Sequence, residues 1–297
     1  MTLEDILNQA VSGLSRGMML FLISSGLSFV FGVMNILNFA HATLWLLGGY
    51  FTFTFWSLSL TKTLNLWVSI PLAGLTMAAI GLVIERLLLK RVYERPLTEQ
   101  LVLTFGLVLI LGDLIKVFWG PSDKCVEMPP SMALGVYLFG GSVPTPLYRI
   151  FIIVVGGIVA VGLWGLLYGT TFGKKIRAAV YSRDMVRALG IGINRIYTGV
   201  FVLMAFIVGI AGGIEAPLSP IGLGKDTHII IECFSVVVIG GLGSILGTLV
   251  GALIVGEIYS FAILVTPRLA MVLIFIITAI VLIFRPWGLF GSPLRKE

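Results

Sequence analysis

Long apolar runs alternate with short polar stretches along the whole chain. A helix needs about 20 apolar residues to cross a bilayer core of about 30 Å. Runs of that kind predict spans over roughly 11–33, 39–60, 66–89, 99–119, 148–169, 196–216 and 268–284. A transmembrane barrel would instead alternate polarity within ten-residue segments. One apolar stretch, 232–265, is too long for a single crossing, because as one helix it would measure about 51 Å. It contains Gly-Gly-Leu-Gly-Ser-Ile-Leu-Gly at 240–247, which predicts a half-helix over 232–241, a turn, and a full helix over about 245–265. The expected fold is an all-α polytopic membrane bundle of about eight full spans plus a re-entrant half-helix, forming one transmembrane domain over 1–297.

Composition narrows the class. The 297 residues are 58% hydrophobic and 11% charged, against about 25% charged in soluble domains. So few charges cannot clothe a soluble surface of this size, which excludes soluble enzymes, nucleic-acid binders and disordered chains. The net charge of +6 then reports orientation, since Lys and Arg accumulate in cytoplasmic loops. Loop 85–95 holds Arg86, Lys90, Arg91 and Arg95, and loop 170–195 holds Lys174, Lys175, Arg177, Arg183, Arg187 and Arg195. With Arg285, Arg295 and Lys296 in a cytoplasmic C-terminal tail, these segments are placed inside. Loops 120–147 and 217–231 hold only Lys124 and Lys225 and are placed outside. By parity the 232–265 stretch must then begin and end outside, which a re-entrant half-helix plus a returning helix satisfies. The same count puts the N-terminus outside. That end is acidic and lacks a basic n-region, so the first run reads as a retained helix and not a signal peptide.

Backbone broken at membrane depth persists only where protein or a water-filled cavity shields it, and in transporters such breaks mark the pathway. Besides 240–247, the segment from Gly32 to His41 carries Asn35, Asn38 and His41 between the first two spans. It reads as either a re-entrant break or a short cytoplasmic turn. Candidate pathway residues are Asn38, His41 and Thr43 in this break, and Gly240, Gly241, Gly243 and Ser244 in the other. Their expected role is lining by exposed backbone and small side chains. Ionisable groups near spans are Arg16, His41, Asp113, Lys116, Glu215, Glu232 and Glu257, each costly in lipid. Asp113 and Lys116 are spaced to pair. The glutamates read as water-accessible groups at outer span ends. With Asp123, Glu127, Asp226 and His228 they make a mixed-charge face, suited to a soluble partner or simply solvated.

Glycines at four-residue spacing allow helix backbones to approach closely. Gly243, Gly247 and Gly251, extended by Ala252 and Gly256, form one such row, and Gly165/Gly169 and Gly209/Gly213 form others. No metalloprotease helix, nucleophile elbow, phosphate loop or paired-cysteine motif occurs. No catalytic residue, metal or cofactor is therefore expected, and any ATP belongs to another subunit. Cys125 and Cys233 are too far apart in sequence to suggest a metal site. The basic loop 170–195 has apolar positions near helical spacing, at Ile176, Ala179, Val180 and Met185 to Ala188. A helix there would be an interfacial helix on anionic lipid, or a lever in a cytoplasmic partner.

Three stretches carry a family resemblance. They are GLSFVFGVMNILNFAHATLWLLGGY at 26–50, FGKKIRAAVYSRDMVRALGI at 172–191, and GGLGSILGTLVGALIVG at 240–256 with the ending Arg285-Pro286-Trp287-Gly288-Leu289-Phe290. In order and along nearly the whole chain, they resemble the membrane permease of a bacterial ABC importer of the branched-chain amino-acid type. The resemblance implies an inner-membrane permease working with a second homologous or identical permease, two cytoplasmic ATPases that bind the ATP, and a periplasmic solute-binding protein. It implies a coupling helix at about 174–189, with Lys174, Lys175, Arg177, Ala178, Ala179, Arg183, Ala188, Leu189 and Gly190 at its matched positions. Ala42 and Thr43 depart from the glycine and polar or acidic residue that often follow the family histidine. The solute is accordingly left among branched-chain or related amino acids, urea and short amides. Competing readings are a gradient-driven secondary transporter, a membrane enzyme built on His41, and a structural membrane subunit. A secondary transporter would call for a buried carboxylate.

Overall fold

The computed structural model describes residues 3–58, 62–136 and 145–291. Its elements are α1 (Leu3–Met34), α2 (His41–Ser57), α3 (Lys62–Leu87), α4 (Leu97–Trp119), α5 (Pro130–Ala133), β1 (Gly135–Val136), β2 (Thr145–Pro146), α6 (Leu147–Gly169), α7 (Thr171–Tyr181), α8 (Arg183–Ala188), α9 (Ile193–Glu215), α10 (Lys225–Gly240), α11 (Ile245–Val265) and α12 (Ala270–Phe284). The molecule is a helical, multi-spanning membrane protein. Six helices, α1, α3, α4, α6, α9 and α11, are long and apolar enough to cross a bilayer. At 17, 16 and 15 residues, α2, α10 and α12 are shorter. Of the eight full spans expected, six are therefore of crossing length among the described residues. Arg295 and Lys296 lie outside those residues.

Two boundaries move. Helix α1 begins at residue 3 instead of 11. Helix α10 begins at Lys225, two turns before the half-helix expected at 232. Its first turn is polar, so the apolar run alone could not register it. Asp226 suits that position because a carboxylate complements the positive end of a helix dipole, and it accepts the Thr227 N–H at 3.1 Å.

The chain packs as two compact units, one of Met1–Ser25, Met128–Ala160 and Ile231–Glu297, the other of Gly26–Glu127 and Val161–Ile230. In the second unit α2, α3 and α9 pack on one another. Glycines set their spacing: a Cβ at Gly212 would lie 2.0 Å from the Trp45 carbonyl oxygen, and one at Gly48 would lie 2.6 Å from that of Gly209. In lipid, helix association rests on such close packing. Gly212→Val should therefore destabilise the protein by about 3 kcal/mol. The position at Gly165 has nothing within 4 Å, so Gly165→Val should leave the melting temperature in detergent unchanged. The Gly165/Gly169 row makes no close packing here, whereas Gly209/Gly213 faces Met77 and Ile70 of α3.

In the first unit, α10 and α11 form a tight hairpin. A Cβ at Gly247 would meet the Gly240 carbonyl oxygen at 2.1 Å, and one at Gly251 that of Val236 at 2.5 Å. Gly256 extends the row onto α1, against Gly17. Gly243 does not belong to this face; it lies in the turn before α11, with φ of 82°.

Two contacts join loops distant in sequence. Lys124 and Ile221 exchange two backbone hydrogen bonds of 2.9 and 2.7 Å, joining the two loops expected outside. Arg187 pairs with Glu94 at 3.0 Å, joining the two basic loops expected inside.

Candidate functional site

The first break spans residues 35–40. Asn35 takes φ of 56° and ends α1. Its position suits a left-handed helix terminus, which Asn tolerates. Asn38 is buried, and its Oδ1 accepts the Ala40 N–H at 3.1 Å. The chain then turns back along α1. His41 starts α2 with its ring against Gly26, where a Cβ would lie 2.6 Å from Cε1 and 3.4 Å from Met204 Cβ. Gly26 is about 12 Å back from the end of α1, and Met204 is about 16 Å into α9. His41 thus sits at the mid-length of α9 and about a quarter of the way in from the end of α1. This explains why α2 is only 17 residues long, and why most of it is buried.

Thr43 donates to Asp226 Oδ2 at 2.7 Å, with both groups buried. The bond ties α2 to the first turn of α10. Removing a donor from a buried acceptor costs about 1–3 kcal/mol. Thr43→Val should lower the melting temperature accordingly, and Thr43→Ser should not. Between α2 and α9, a cavity lined by Trp45, Gly49, Gly212 and Glu215 measures about 10 Å³. That holds about one water.

The second break occupies 241–244. Gly241 and Gly243 take φ of 102° and 82°, values that only glycine adopts freely and that end α10. The exposed carbonyls of the broken helix do not face a cavity. Ile239 O accepts from Leu289 N–H at 2.9 Å and Gly240 O from Phe290 N–H at 3.0 Å. The Arg285–Phe290 ending thus covers Gly240 and Gly241, which were expected to line a path with open backbone. Ser244 caps α11, its Oγ accepting the Gly247 N–H at 3.0 Å.

The ionisable groups divide. Asp113 and Lys116 pair as expected, at 2.9 Å. Glu232 is not water-accessible: it is 5% exposed and takes both carboxylate oxygens to Arg16 Nη2, at 2.9 and 2.8 Å. Arg16 also stacks 3.6 Å above the Tyr259 ring. Sequence could not pair Arg16 with Glu232, because the partners come from the two ends of the chain. It also overlooked Glu85, which is 0% exposed and accepts from the Tyr93 hydroxyl and, at 2.8 Å, from Thr198 Oγ1. Burial first, and the Glu85 carboxylate second, push the Tyr93 hydroxyl above its ordinary pKa, so it stays a donor.

The basic segment forms two helices instead of one. Ser182 is extended, and its Oγ accepts the Met185 N–H at 3.3 Å, ending α7 and starting α8. Thr170 caps α7 in the same way, at 3.0 Å from Gly173 N. Ile176 and Ala179 face inward, so Ala179 supports the segment and presents no surface. Lys174, Lys175, Arg177 and Ala178 are exposed, Arg183 is half-buried, and Ala188, Leu189 and Gly190 are exposed. Tyr181, Met185 and Leu189, at 83%, 63% and 70% exposure, are exposed apolar side chains on this basic segment. Arg187 holds Glu94, and Arg183 lies over Tyr197, which meets Tyr93 edge-on at 5.0 Å. These contacts connect α8 to the loop between α3 and α4 and to the first turns of α9.

Comparison with known proteins follows this geometry closely. Residues 9–282 match the family described as branched-chain amino acid transport system / permease component. The chain is 29% identical to the high-affinity branched-chain amino acid transport system permease protein BraD of Pseudomonas aeruginosa, over 97% of this chain and 96% of that protein. It is 26% identical to LivH, of the same description, from Escherichia coli K12, again over 97% and 96%. A shorter stretch, 38% of this chain, is 35% identical to the ribose import permease protein RbsC of Escherichia coli K12, covering 36% of that protein. No solved structure matches.

Proposed function

The chain belongs to the permease family of branched-chain amino acid transport systems, and we propose that it is the membrane half of an ATP-driven importer of branched-chain or related amino acids. In this reading the chain holds no engine. It works beside a second permease, homologous or identical, over two cytoplasmic ATPases that bind the ATP, and a periplasmic binding protein delivers the solute. It crosses the bacterial inner membrane several times, with α10 as a re-entrant half-helix and the C-terminus on the cytoplasmic side. The break at His41 and the turn at Gly243 and Ser244 mark the path.

The observation that carries the proposal is the α7–α8 segment. The exposed apolar side chains of Tyr181, Met185 and Leu189 stand on a basic helix pair in a chain without a phosphate loop. Burying such side chains in a groove is favourable by about 25 cal/mol per Å² of apolar area. The contacts of Arg183 and Arg187 then pass motion to the loop between α3 and α4 and to α9. Orientation is open to a direct check, because Cys125 is exposed in the loop placed outside and Cys233 is buried. An impermeant maleimide should label Cys125 from the outer side, and a Met185→Cys thiol only after the cytoplasmic face is opened.

The solute is tested by uptake. Cells lacking their own branched-chain permeases, given this chain with its neighbouring ATPase and binding-protein genes, should take up radiolabelled leucine. Isoleucine and valine should compete; urea and acetamide should not. Competition by urea alone would move the chain to the urea and amide relatives.

A further inference from the structure

Beside the coupling segment, and sharing Arg183 and Arg187 with it, lies a basic groove. One cavity, of about 300 Å³, is lined by Lys90, Arg91, Tyr93, Glu94, Arg183, Arg187, Asn194 and Tyr197. A second, of about 660 Å³, is lined by Arg86, Lys90, Asn194, Arg195, Thr198, Gly199 and Val202. The two share Lys90 and Asn194 in their linings, so they lie side by side. Six cations line them against a single carboxylate, Glu94, which already holds Arg187. Tyr197 is 2% exposed, and its buried hydroxyl has no hydrogen-bond partner. A buried hydroxyl without an acceptor beside a cluster of cations fits a phosphate oxygen.

The other limb is different in character. It runs along α9 from Arg195 past Thr198 to Gly199 and Val202, about 14 Å from the helix start. A free phosphate would occupy only the charged end of this space, whereas an acyl chain would extend past it to Gly199 and Val202. We propose that this groove binds an anionic phospholipid of the inner leaflet, its phosphate among Lys90, Arg91 and Tyr197 and its acyl chain along Gly199 and Val202. Basic pockets between spans on the cytoplasmic side are suited to such headgroups. The lipid would steady the junction of α8 with the loop between α3 and α4 and with α9. The inference rests on the cytoplasmic placement of these loops, not on the transported solute.

The test is native mass spectrometry of the full-length chain released from nanodiscs of phosphatidylethanolamine with a minor fraction of phosphatidylglycerol. The wild type should retain phosphatidylglycerol over phosphatidylethanolamine. Lys90→Gln with Arg91→Gln should lower retention by about fivefold per charge removed. Val202→Trp, which blocks the apolar limb and leaves every charge, should also release the lipid. Lys116→Gln, outside the groove, should not. Equal retention of both lipids, or an equal loss in Lys116→Gln, overturns the proposal. So does displacement by inorganic phosphate with no effect of Val202→Trp, which would mark a free-phosphate site. If the Lys90/Arg91 variant loses ATPase co-purification and keeps its lipid, the groove seats a protein and the proposal fails.

Discussion

Glu232→Ala should cost the protein about 3 kcal/mol and lower its melting temperature in detergent, as much as the overpacked Gly212→Val. Glu232 is 5% exposed and bound through both oxygens to Arg16. Removing it leaves a guanidinium inside the bundle with only the Tyr259 ring beneath it. The loss falls at the low end of the range for broken buried pairs because the Arg16 side chain keeps 33% of its exposure. The companion experiment separates charge from packing. Arg16→Met with Glu232→Leu removes both charges and keeps volume, and such replacements are often neutral. The double variant should recover most of the lost stability. If it melts as low as Glu232→Ala, the pair matters through shape and not through charge.

The second large effect is functional. Met185→Glu or Tyr181→Ala should weaken ATPase binding about thirtyfold, the scale of an interface hot spot of about 2 kcal/mol. Membrane insertion and melting should stay as in the wild type, since both side chains are largely exposed. Ala179→Glu gives the opposite pattern. Ala179 is 1% exposed on the inward face of α7, so an added carboxylate breaks the segment's own packing. Its damage should appear as lost chain. Co-purification measured per molecule of inserted permease distinguishes the two. Normal binding by both Met185→Glu and Tyr181→Ala would remove α7–α8 from the coupling role.

Much of this architecture was legible in the sequence, for stated physical reasons. Apolar runs of bilayer length located the long helices, and parity of basic loops required a break inside 232–265. The glycines at 241 and 243 end α10 there, and α11 begins at Ile245 as the pattern predicts. What escaped detection depended on partners distant in sequence. The row from Gly247 to Gly256 read as one packing face, but it serves α10 at one end and α1 at the other. Gly26 is an ordinary glycine in the text; only the fold shows that it makes room for His41. The tail motif was visible as a pattern, yet its hydrogen bonds to Ile239 and Gly240 were not. Glu232 looked like a solvated end group because its helix began two turns earlier than the apolar run suggested. Its burial also removes one argument against a gradient-driven transporter, namely that the chain lacks a buried carboxylate.

That alternative and the importer reading part company in one reconstitution. Liposomes carrying this chain, with or without its ATPases, are loaded with ATP and offered radiolabelled leucine together with the binding protein. On the present account leucine accumulates only when ATPases, ATP and binding protein are all present, and a proton or sodium gradient adds nothing. Accumulation by the chain alone, driven by such a gradient, would contradict it.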